Sequence, residues 1–144
     1  MKLVLQRVKR ASVTIDGELY SAINQGLLIL IGIEKGDVDA DVEKFADKVS
    51  KLRIFSDEND KMNLSVKDVG GEILVVSQFT LAGDCKKGTR PSFDKSAPPA
   101  EANRLYELFC KNLRAKDIIV KTGVFAASMD VELINDGPVT FVLG

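Results

Sequence analysis

Two polar stretches interrupt apolar runs, and they contain the residues best placed to do chemistry. Ser77-Gln78-Phe79-Thr80 follows the aliphatic run Ile73 to Val76, and Asn135-Asp136-Gly137-Pro138-Val139-Thr140 lies between two strand-like runs near the C-terminus. The 144 residues include no histidine, so the usual general base near neutral pH is missing. A hydrolase or transferase built on these stretches must therefore use hydroxyls, amides and main-chain groups.

Length and composition restrict the class of protein. The chain has 144 residues, of which 45% are hydrophobic and 28% are charged, which is typical of an ordinary globular protein and predicts a single domain over residues 1–144. No apolar run approaches the roughly 20 residues of a membrane helix, and the first residues lack the apolar core of a signal peptide. We therefore expect no membrane partner and a cytoplasmic location.

Cysteine content and charge say little about ligands. Cys85 and Cys110 lie far apart, and without histidine they cannot complete a four-ligand zinc site. We therefore predict two free thiols, with neither metal nor cofactor. The net charge of −1 argues against a strong non-specific polyanion binder. One short segment nevertheless contains four positively charged residues: Lys86, Lys87, Arg90 and Lys95. This segment either binds a phosphate backbone or is a solvated surface loop.

Several segments have the pattern of strands. Asp16-Gly17 separates two short β-like runs, as in a two-residue hairpin. Leu27 to Ile31 and Ile73 to Val76 are unbroken aliphatic runs, which is typical of strands covered on both faces. Alternation over Ser128 to Leu133 predicts a strand with one buried face, because Met129, Val131 and Leu133 are the apolar residues.

Helical spacing occurs twice. Apolar residues between Val42 and Leu52 follow an acidic start, and those between Ala102 and Phe109 follow Pro98-Pro99. The fold class predicted is therefore α+β: a mainly antiparallel sheet, curved or layered into a barrel-like core, with two amphipathic helices packed outside. The segment from Leu81 to Pro99 has little periodicity, so we interpret it as a substrate-facing loop or a plain surface excursion.

Five short motifs follow one another along the chain: Gln6-Arg7-Val8, Ala11-Ser12-Val13, Ser77-Gln78-Phe79-Thr80-Leu81, Arg90-Pro91-Ser92-Phe93 and Asn135-Asp136-Gly137-Pro138-Val139-Thr140. In this order, and over essentially the whole chain, they resemble the D-aminoacyl-tRNA deacylase family. One position departs from the family pattern, because Ala126 stands where a glycine is expected. The added methyl group affects how closely the backbone can approach a neighbour there.

The resemblance implies an editing enzyme that hydrolyses the ester between a D-amino acid and the 3′-terminal adenosine of tRNA. It also implies removal of glycine from mischarged tRNA, while L-aminoacyl-tRNA survives. The family is homodimeric, and its Gly-Pro pair, which corresponds to Gly137 and Pro138, enters the active site of the opposite subunit with a cis peptide bond. Such a backbone wall would exclude an L side chain whatever its chemistry.

Two mechanisms are compatible with the Ser77 to Thr80 segment. In the first, Thr80 is the nucleophile, although no histidine is present to activate it. In the second, which the resemblance also suggests and which we favour, the 2′-hydroxyl of the terminal ribose assists and the Phe79 N–H stabilises the oxyanion. The protein positions the ester in this scheme, and Ser77, Gln78, Phe79 and Thr80 are the predicted catalytic residues. The side chains of Ser77, Gln78 and Thr80 are equally suited to hydrogen bonding at the end of a strand.

Three further residues have predicted binding roles. Phe125 and Met129 line the adenine pocket or belong to the core. Arg7, isolated in an apolar strand, either orients the Gly-Pro carbonyls or forms a simple salt bridge.

Two other functions are compatible with the sequence. One is a non-catalytic, translation-associated RNA-binding module that uses the Lys86 to Lys95 loop as its phosphate contact. The other is an ester hydrolase of free small molecules. Ester cleavage distinguishes the first from a deacylase, and dependence on the tRNA body distinguishes the second.

Overall fold

The fold consists of eight strands, two long helices and one 3₁₀ helix, and the computed structural model describes all residues from 1 to 144. In chain order the elements are β1 (Lys2–Ile15), β2 (Glu18–Ile23), β3 (Gly26–Gly32), α1 (Asp39–Lys51), β4 (Phe55–Ser56), β5 (Met62–Leu64), β6 (Glu72–Ser77), a 3₁₀ helix (Phe79–Ala82), α2 (Pro99–Arg114), β7 (Ile119–Thr122) and β8 (Asp130–Leu143). The main sheet has six strands in the order β2-β1-β3-β6-β7, with β8 also paired to β1. A separate two-stranded sheet pairs β4 with β5.

The hairpin between β1 and β2 confirms the turn predicted at Asp16-Gly17. The two residues have positive φ angles of 51° and 78°, and Ile15 pairs with Glu18 directly across the turn. Both φ values match those of a tight two-residue connection, which asparagine, aspartate and glycine tolerate best.

Strands β3 and β6 are the buried central strands that the aliphatic runs predicted. In β3, Leu27, Ile29 and Ile31 belong to the larger core, whereas Leu28 belongs to a second, smaller core on the other face. In β6, Leu74 shares that smaller core. Because both faces are covered, neither strand alternates between apolar and polar residues.

Four strand pairs are antiparallel, and two are parallel: β3 with β6 and β6 with β7. The prediction of a mainly antiparallel sheet is therefore confirmed, and the parallel pairs add a feature that the patterns did not indicate. Each parallel pair is connected through one of the long helices, as parallel strands require a crossover.

The two predicted helices are present and pack on the outside of the sheet. Helix α1 buries Val42, Ala46 and Val49, while α2 begins at Pro99 and buries residues that include Leu105 and Phe109. These side chains join the larger core between helices and sheet. No helix is long and apolar enough to cross a membrane.

The sheet curves until its two edges nearly meet, which gives the barrel-like core that was predicted. Strands β2 and β7 are joined there through side chains: the Ser21 hydroxyl donates to the Thr122 carbonyl at 2.9 Å, and the Lys121 ammonium donates to the Ala22 carbonyl at 2.8 Å. The curvature brings residues at the end of β6 close to those before β8.

The α-ammonium group of Met1 forms ion pairs inside this fold. It donates hydrogen bonds to the carboxylates of Glu34 at 2.8 Å and Asp37 at 2.9 Å. Burial alone would lower the pKa of the ammonium group, but the hydrogen bonds to the two carboxylates outweigh burial and raise it above its ordinary value of 8.0. The hydrogen bond between the Met1 ammonium and Glu34 also lowers the pKa of the Glu34 carboxyl below its ordinary value of 4.5.

These shifts predict how stability depends on pH. The contribution of the raised ammonium pKa is complete below pH 8 and is lost as the pH rises through the folded-state pKa. The contribution of the lowered Glu34 pKa is complete above pH 4.5 and is lost on acidification. Urea unfolding between pH 4 and 10 measures both, and a Glu34→Gln/Asp37→Asn variant should lose less stability above pH 8 than the wild type. An equally steep alkaline loss in the variant would contradict this prediction.

Candidate active site

A cleft of about 690 Å³ lies between the end of β6, the start of α2 and the segment before β8. Five of the residues predicted from the sequence line it: Ser77, Gln78, Phe79, Phe125 and Met129. Other lining residues include Lys35, Phe93, Pro98, Ala126 and Val131. The cleft is therefore mostly apolar, with a few polar groups concentrated at the end of β6, as small-molecule sites usually are.

The polar end of the cleft is held by the backbone. Strand β6 ends at Ser77, and the Gln78 N–H donates to the Ile31 carbonyl of the neighbouring strand at 2.8 Å. Phe79 is the first residue of the 3₁₀ helix, so its N–H has no acceptor within that helix. A free main-chain donor next to the cleft is suited to bind a carbonyl oxygen on which negative charge develops.

Thr80 lies beside the cleft and is not one of the residues that line it. Its hydroxyl accepts a hydrogen bond from the Gln78 side-chain amide. Because an amide is not a base, this contact positions the hydroxyl without activating it as a nucleophile.

Phe125 and Met129 contact both the cleft and the core. The Phe125 ring packs against Tyr106 with centroids 6.0 Å apart. The Met129 sulfur accepts a hydrogen bond from the Val124 N–H at 3.4 Å, and Met129 packs against the smaller core. Both residues therefore line the cleft and pack against a core, and their contact with adenine stays a prediction.

Ala126 lies on the cleft wall with a φ angle of 64°. An L-residue pays about 1–2 kcal/mol for this left-handed conformation, which explains physically why glycine suits the position. We predict that Ala126→Gly stabilises the protein by about 0.5–1 kcal/mol, after the larger unfolded-state entropy of glycine is subtracted. Urea unfolding measures the change. Ala127→Gly is the matched control, and it should destabilise the protein because Ala127 has no positive φ. Equal destabilisation by both variants would contradict the interpretation.

Gly137 and Pro138 lie at the tip of a bulge in β8, away from the cleft of their own chain. Val8 pairs with Asn135 and Gln6 pairs with Thr140, so residues 136–139 all lie opposite Arg7. Both tip residues are exposed. Their peptide bond is cis, as the resemblance implied.

Side chains from both strands hold this bulge. Asn135 bridges its base, accepting from the Val139 N–H at 3.0 Å and donating to the Thr140 hydroxyl at 2.9 Å. Arg7, only 8% exposed, donates from Nε to the Asp136 carbonyl at 3.1 Å and from a terminal nitrogen to the Ile54 carbonyl at 2.8 Å.

Arg7 does not hydrogen-bond the Gly137 or Pro138 carbonyl, so its role in orienting those carbonyls stays a prediction. It bonds the carbonyl that precedes Gly137, and it also lies 3.5 Å from the Asp136 carboxylate. The guanidinium has enough donors to hold the bulge and the β4 region together.

Sequence reasoning missed several residues that the site uses. Asn135 and Thr140 belong to the same motif as the Gly-Pro pair, but the motif by itself does not predict that their side chains hold the bulge. Phe93 belongs to the Arg90-Pro91-Ser92-Phe93 motif, and its ring packs edge-on against Phe79 with centroids 5.2 Å apart. Lys35 had no signal in the sequence, because its place on the cleft wall depends on how distant segments meet.

The remaining reactive side chains do not form a second centre. No group of three or more histidine, cysteine, aspartate or glutamate side chains is arranged to hold a metal ion. Burial raises the pKa of the Cys110 thiol to about 12, so it stays protonated at neutral pH. Cys85 is exposed and unpaired.

Comparison with known proteins identifies the family. Residues 4–144 match the family described as D-Tyr-tRNA(Tyr) deacylase. The chain is 63% identical to the D-aminoacyl-tRNA deacylase of Thermodesulfovibrio yellowstonii, covering 99% of this chain and 98% of that protein. It is 57% identical to the protein of the same name from Pelobacter propionicus, with 99% of each chain covered.

Two solved structures have the same fold as this chain. The structure of a c-Myc DNA Unwinding Element Binding Protein superposes with a TM-score of 0.94 at 44% identity, covering 100% of this chain and 98% of that one. The structure of a probable eukaryotic D-amino acid tRNA deacylase, 16% identical with a TM-score of 0.85, covers 99% of this chain and 97% of its own and shares the fold.

The family and the named relatives place this barrel-like α+β protein in the class of hydrolases that act on ester bonds. More particularly, the chain belongs to the D-Tyr-tRNA(Tyr) deacylase family.

Proposed function

We propose that this protein hydrolyses the ester bond between a D-amino acid and the 3′-terminal adenosine of tRNA. The observation that carries the proposal is the cleft itself, in a chain of this family: Ser77, Gln78 and Phe79 lie at one end of it, and Phe125 and Met129 form another wall. The polar end is suited to the ester, and an aromatic and a thioether face are suited to the adenine. A substrate of this kind is made during translation, so the enzyme acts in the cytoplasm.

Discrimination between D- and L-amino acids is assigned to Gly137 and Pro138 of a second subunit. In their own chain these residues are exposed and do not line the cleft, which leaves them free to enter the cleft of a partner. Backbone placed against the Cα of the substrate would exclude an L side chain by its volume. Glycine has no side chain, so glycyl-tRNA is also a substrate.

The proposed assembly is a homodimer with two shared active sites. Strand β8, which contains the bulge, also exposes apolar side chains: Ile134, Phe141 and Val142, the last of them 71% exposed. Exposed apolar residues next to the donated Gly-Pro pair are suited to a subunit interface. Size-exclusion chromatography with light scattering tests the assembly, and a monomer at working concentrations would contradict the shared site.

Catalysis is assigned to the Phe79 N–H and to the substrate's own 2′-hydroxyl. The chain has no histidine, and the Thr80 hydroxyl contacts only an amide among the side chains. A backbone donor aimed at the oxyanion contributes about 2.7–4 kcal/mol. The vicinal 2′-hydroxyl of the terminal ribose then takes part in proton transfer, in the role that a side-chain acid or base has in other hydrolases.

The direct test compares hydrolysis of D-tyrosyl-tRNA, L-tyrosyl-tRNA and glycyl-tRNA by the same preparation. We expect cleavage of the first and the third, with L-tyrosyl-tRNA left intact. Binding of D-tyrosyl-tRNA without cleavage would favour an RNA-binding module instead. Equal rates on D-tyrosyl-tRNA and on a free D-tyrosine ester would favour a small-molecule esterase.

A further inference from the structure

We infer that four lysines, Lys35, Lys95, Lys2 and Lys86, form a track that binds the phosphates of the single-stranded 3′ end of tRNA as it leaves the active-site cleft. This inference rests on the proposed function, because the terminal adenosine must occupy the cleft for the preceding nucleotides to follow the track. The chemical class of ligand is a single-stranded ribonucleotide segment.

The track follows from three adjoining depressions on the surface. Lys35 lines both the active-site cleft and a second groove, and Lys95 lines both the second groove and a third. The third groove is also lined by Lys2 and Lys86. Since each groove shares a lysine with the next, a continuous basic path begins at the cleft wall.

Main-chain pairing holds the middle of the track. The Lys35 N–H donates to the Lys95 carbonyl at 2.8 Å, next to a bridge between Glu34 and Ser96. The first two lysines of the path therefore lie on adjacent, hydrogen-bonded backbone segments, although 60 residues separate them in the sequence.

The lysines of the track form no close ion pair, although Lys2 and Lys95 lie near enough to Glu34 to help lower the pKa of its carboxyl. None of the four has a carboxylate within 4.0 Å of its ammonium nitrogen, the distance that defines the ion pairs of this chain. Four acidic residues line the second and third grooves: Glu34, Asp37, Asp84 and Asp94.

Three of these four carboxylates have a hydrogen-bond or ion-pair partner other than the ammonium group of a track lysine. The Met1 ammonium pairs with Glu34 and Asp37, each at 2.8 Å. The Asp84 carboxylate accepts a hydrogen bond from the main-chain N–H of Lys86 at 2.9 Å. Counted together, the four lysines and the Met1 ammonium carry one positive charge more than the four carboxylates, which favours a polyanion although the whole chain has a net charge of −1.

An aromatic pair lies where the track meets the cleft. Phe79 and Phe93 pack edge-on, and both are exposed, by 55% and 40%. Proteins that bind single-stranded nucleic acid combine a basic groove for the backbone with exposed rings on which bases stack. The Phe93 ring is thus placed to stack on a base that precedes the terminal adenosine.

The test compares a Lys86→Gln/Lys95→Gln variant, which changes two track lysines that do not line the cleft, with a matched control, Lys44→Gln/Lys111→Gln, which changes two exposed helical lysines that line none of the three grooves. For the track variant we expect KM for D-tyrosyl-tRNA to rise about tenfold with kcat nearly unchanged. The dependence of log KM on log salt should become shallower by about 1.4, since each single-strand phosphate contributes about 0.7. The control variant should match the wild type.

A second substrate isolates the track from the cleft. D-tyrosyl-adenosine lacks the preceding phosphates, so the track variant should hydrolyse it at the wild-type rate. A Phe93→Leu variant should weaken binding of tRNA about fivefold without changing the salt dependence. An unchanged KM and salt slope in the track variant, or an equal loss in the control variant or on D-tyrosyl-adenosine, would overturn the inference.

Fluorescence anisotropy with uncharged tRNA separates this inference from the proposed function. If the wild type binds tRNA but cleaves no D-aminoacyl ester, the proposed function fails. If cleavage is normal but the track variant binds uncharged tRNA with the wild-type affinity and salt slope, the track fails alone.

Discussion

A Gly137→Ala variant is expected to lose about 2–3 kcal/mol of stability and most of its discrimination against L-aminoacyl-tRNA. Gly137 has a φ angle of 135°, and a Cβ atom there would lie 2.7 Å from Val139 Cγ2 and 2.9 Å from the Val139 nitrogen. An alanine therefore forces the tip of the bulge to move. Because the proposed selectivity depends on the position of this backbone, the D/L ratio of kcat/KM should fall at least about tenfold.

Gly70→Ala is the matched control for this substitution. Gly70 also has a positive φ, of 65°, but nothing lies within 4 Å of the added Cβ. It should cost only about 1 kcal/mol, from backbone strain alone, and leave selectivity unchanged. Urea unfolding and initial rates on D- and L-tyrosyl-tRNA measure both variants. A Gly137→Ala enzyme with wild-type stability and selectivity would show that the bulge does not exclude the L side chain.

The second large effect is expected in the substrate. Replacing the terminal adenosine of D-tyrosyl-tRNA by its 2′-deoxy form should reduce the enzymatic rate enhancement about 10²- to 10⁴-fold, the usual contribution of a general acid or base. The reason is that the chain has no histidine and that the proposed mechanism assigns proton transfer to the RNA. Each rate is divided by the uncatalysed rate of the same ester, so that the chemical effect of removing the hydroxyl cancels.

Thr80→Ala is the companion experiment on the protein. The Thr80 hydroxyl lies outside the residues that line the cleft, so the variant should keep its rate within about fivefold of the wild type. A nucleophile would lose far more. Undiminished cleavage of the 2′-deoxy substrate, together with an inactive Thr80→Ala enzyme, would reverse the assignment of roles.

Local interactions made much of the fold predictable. The Asp16-Gly17 turn depends on two residues that tolerate positive φ. The helices α1 and α2 depend on apolar spacing and on prolines or aspartates at their first turns. The motif around Ser77 to Thr80 was recognisable in the same way, because its residues are contiguous.

Contacts between distant segments were not predictable from these patterns. The aliphatic composition of Leu27 to Ile31 and of Ile73 to Val76 predicts buried strands. The residues of these two segments do not show that the strands pair in parallel. The place of Lys35 on the cleft wall and its main-chain bond to Lys95 likewise depend on two segments that meet only in the folded chain.

By itself, the sequence determined the element types, the absence of imidazole chemistry and the motifs of the family, since each is a property of neighbouring residues or of composition. Tertiary structure alone decided that Arg7 holds the main chain of Asp136, 129 positions away, and that four residues bulge there. It also decided that Gly137 and Pro138 stand outside their own cleft. The physical reason is that register and curvature come from packing the whole sheet, which no short stretch of chain encodes.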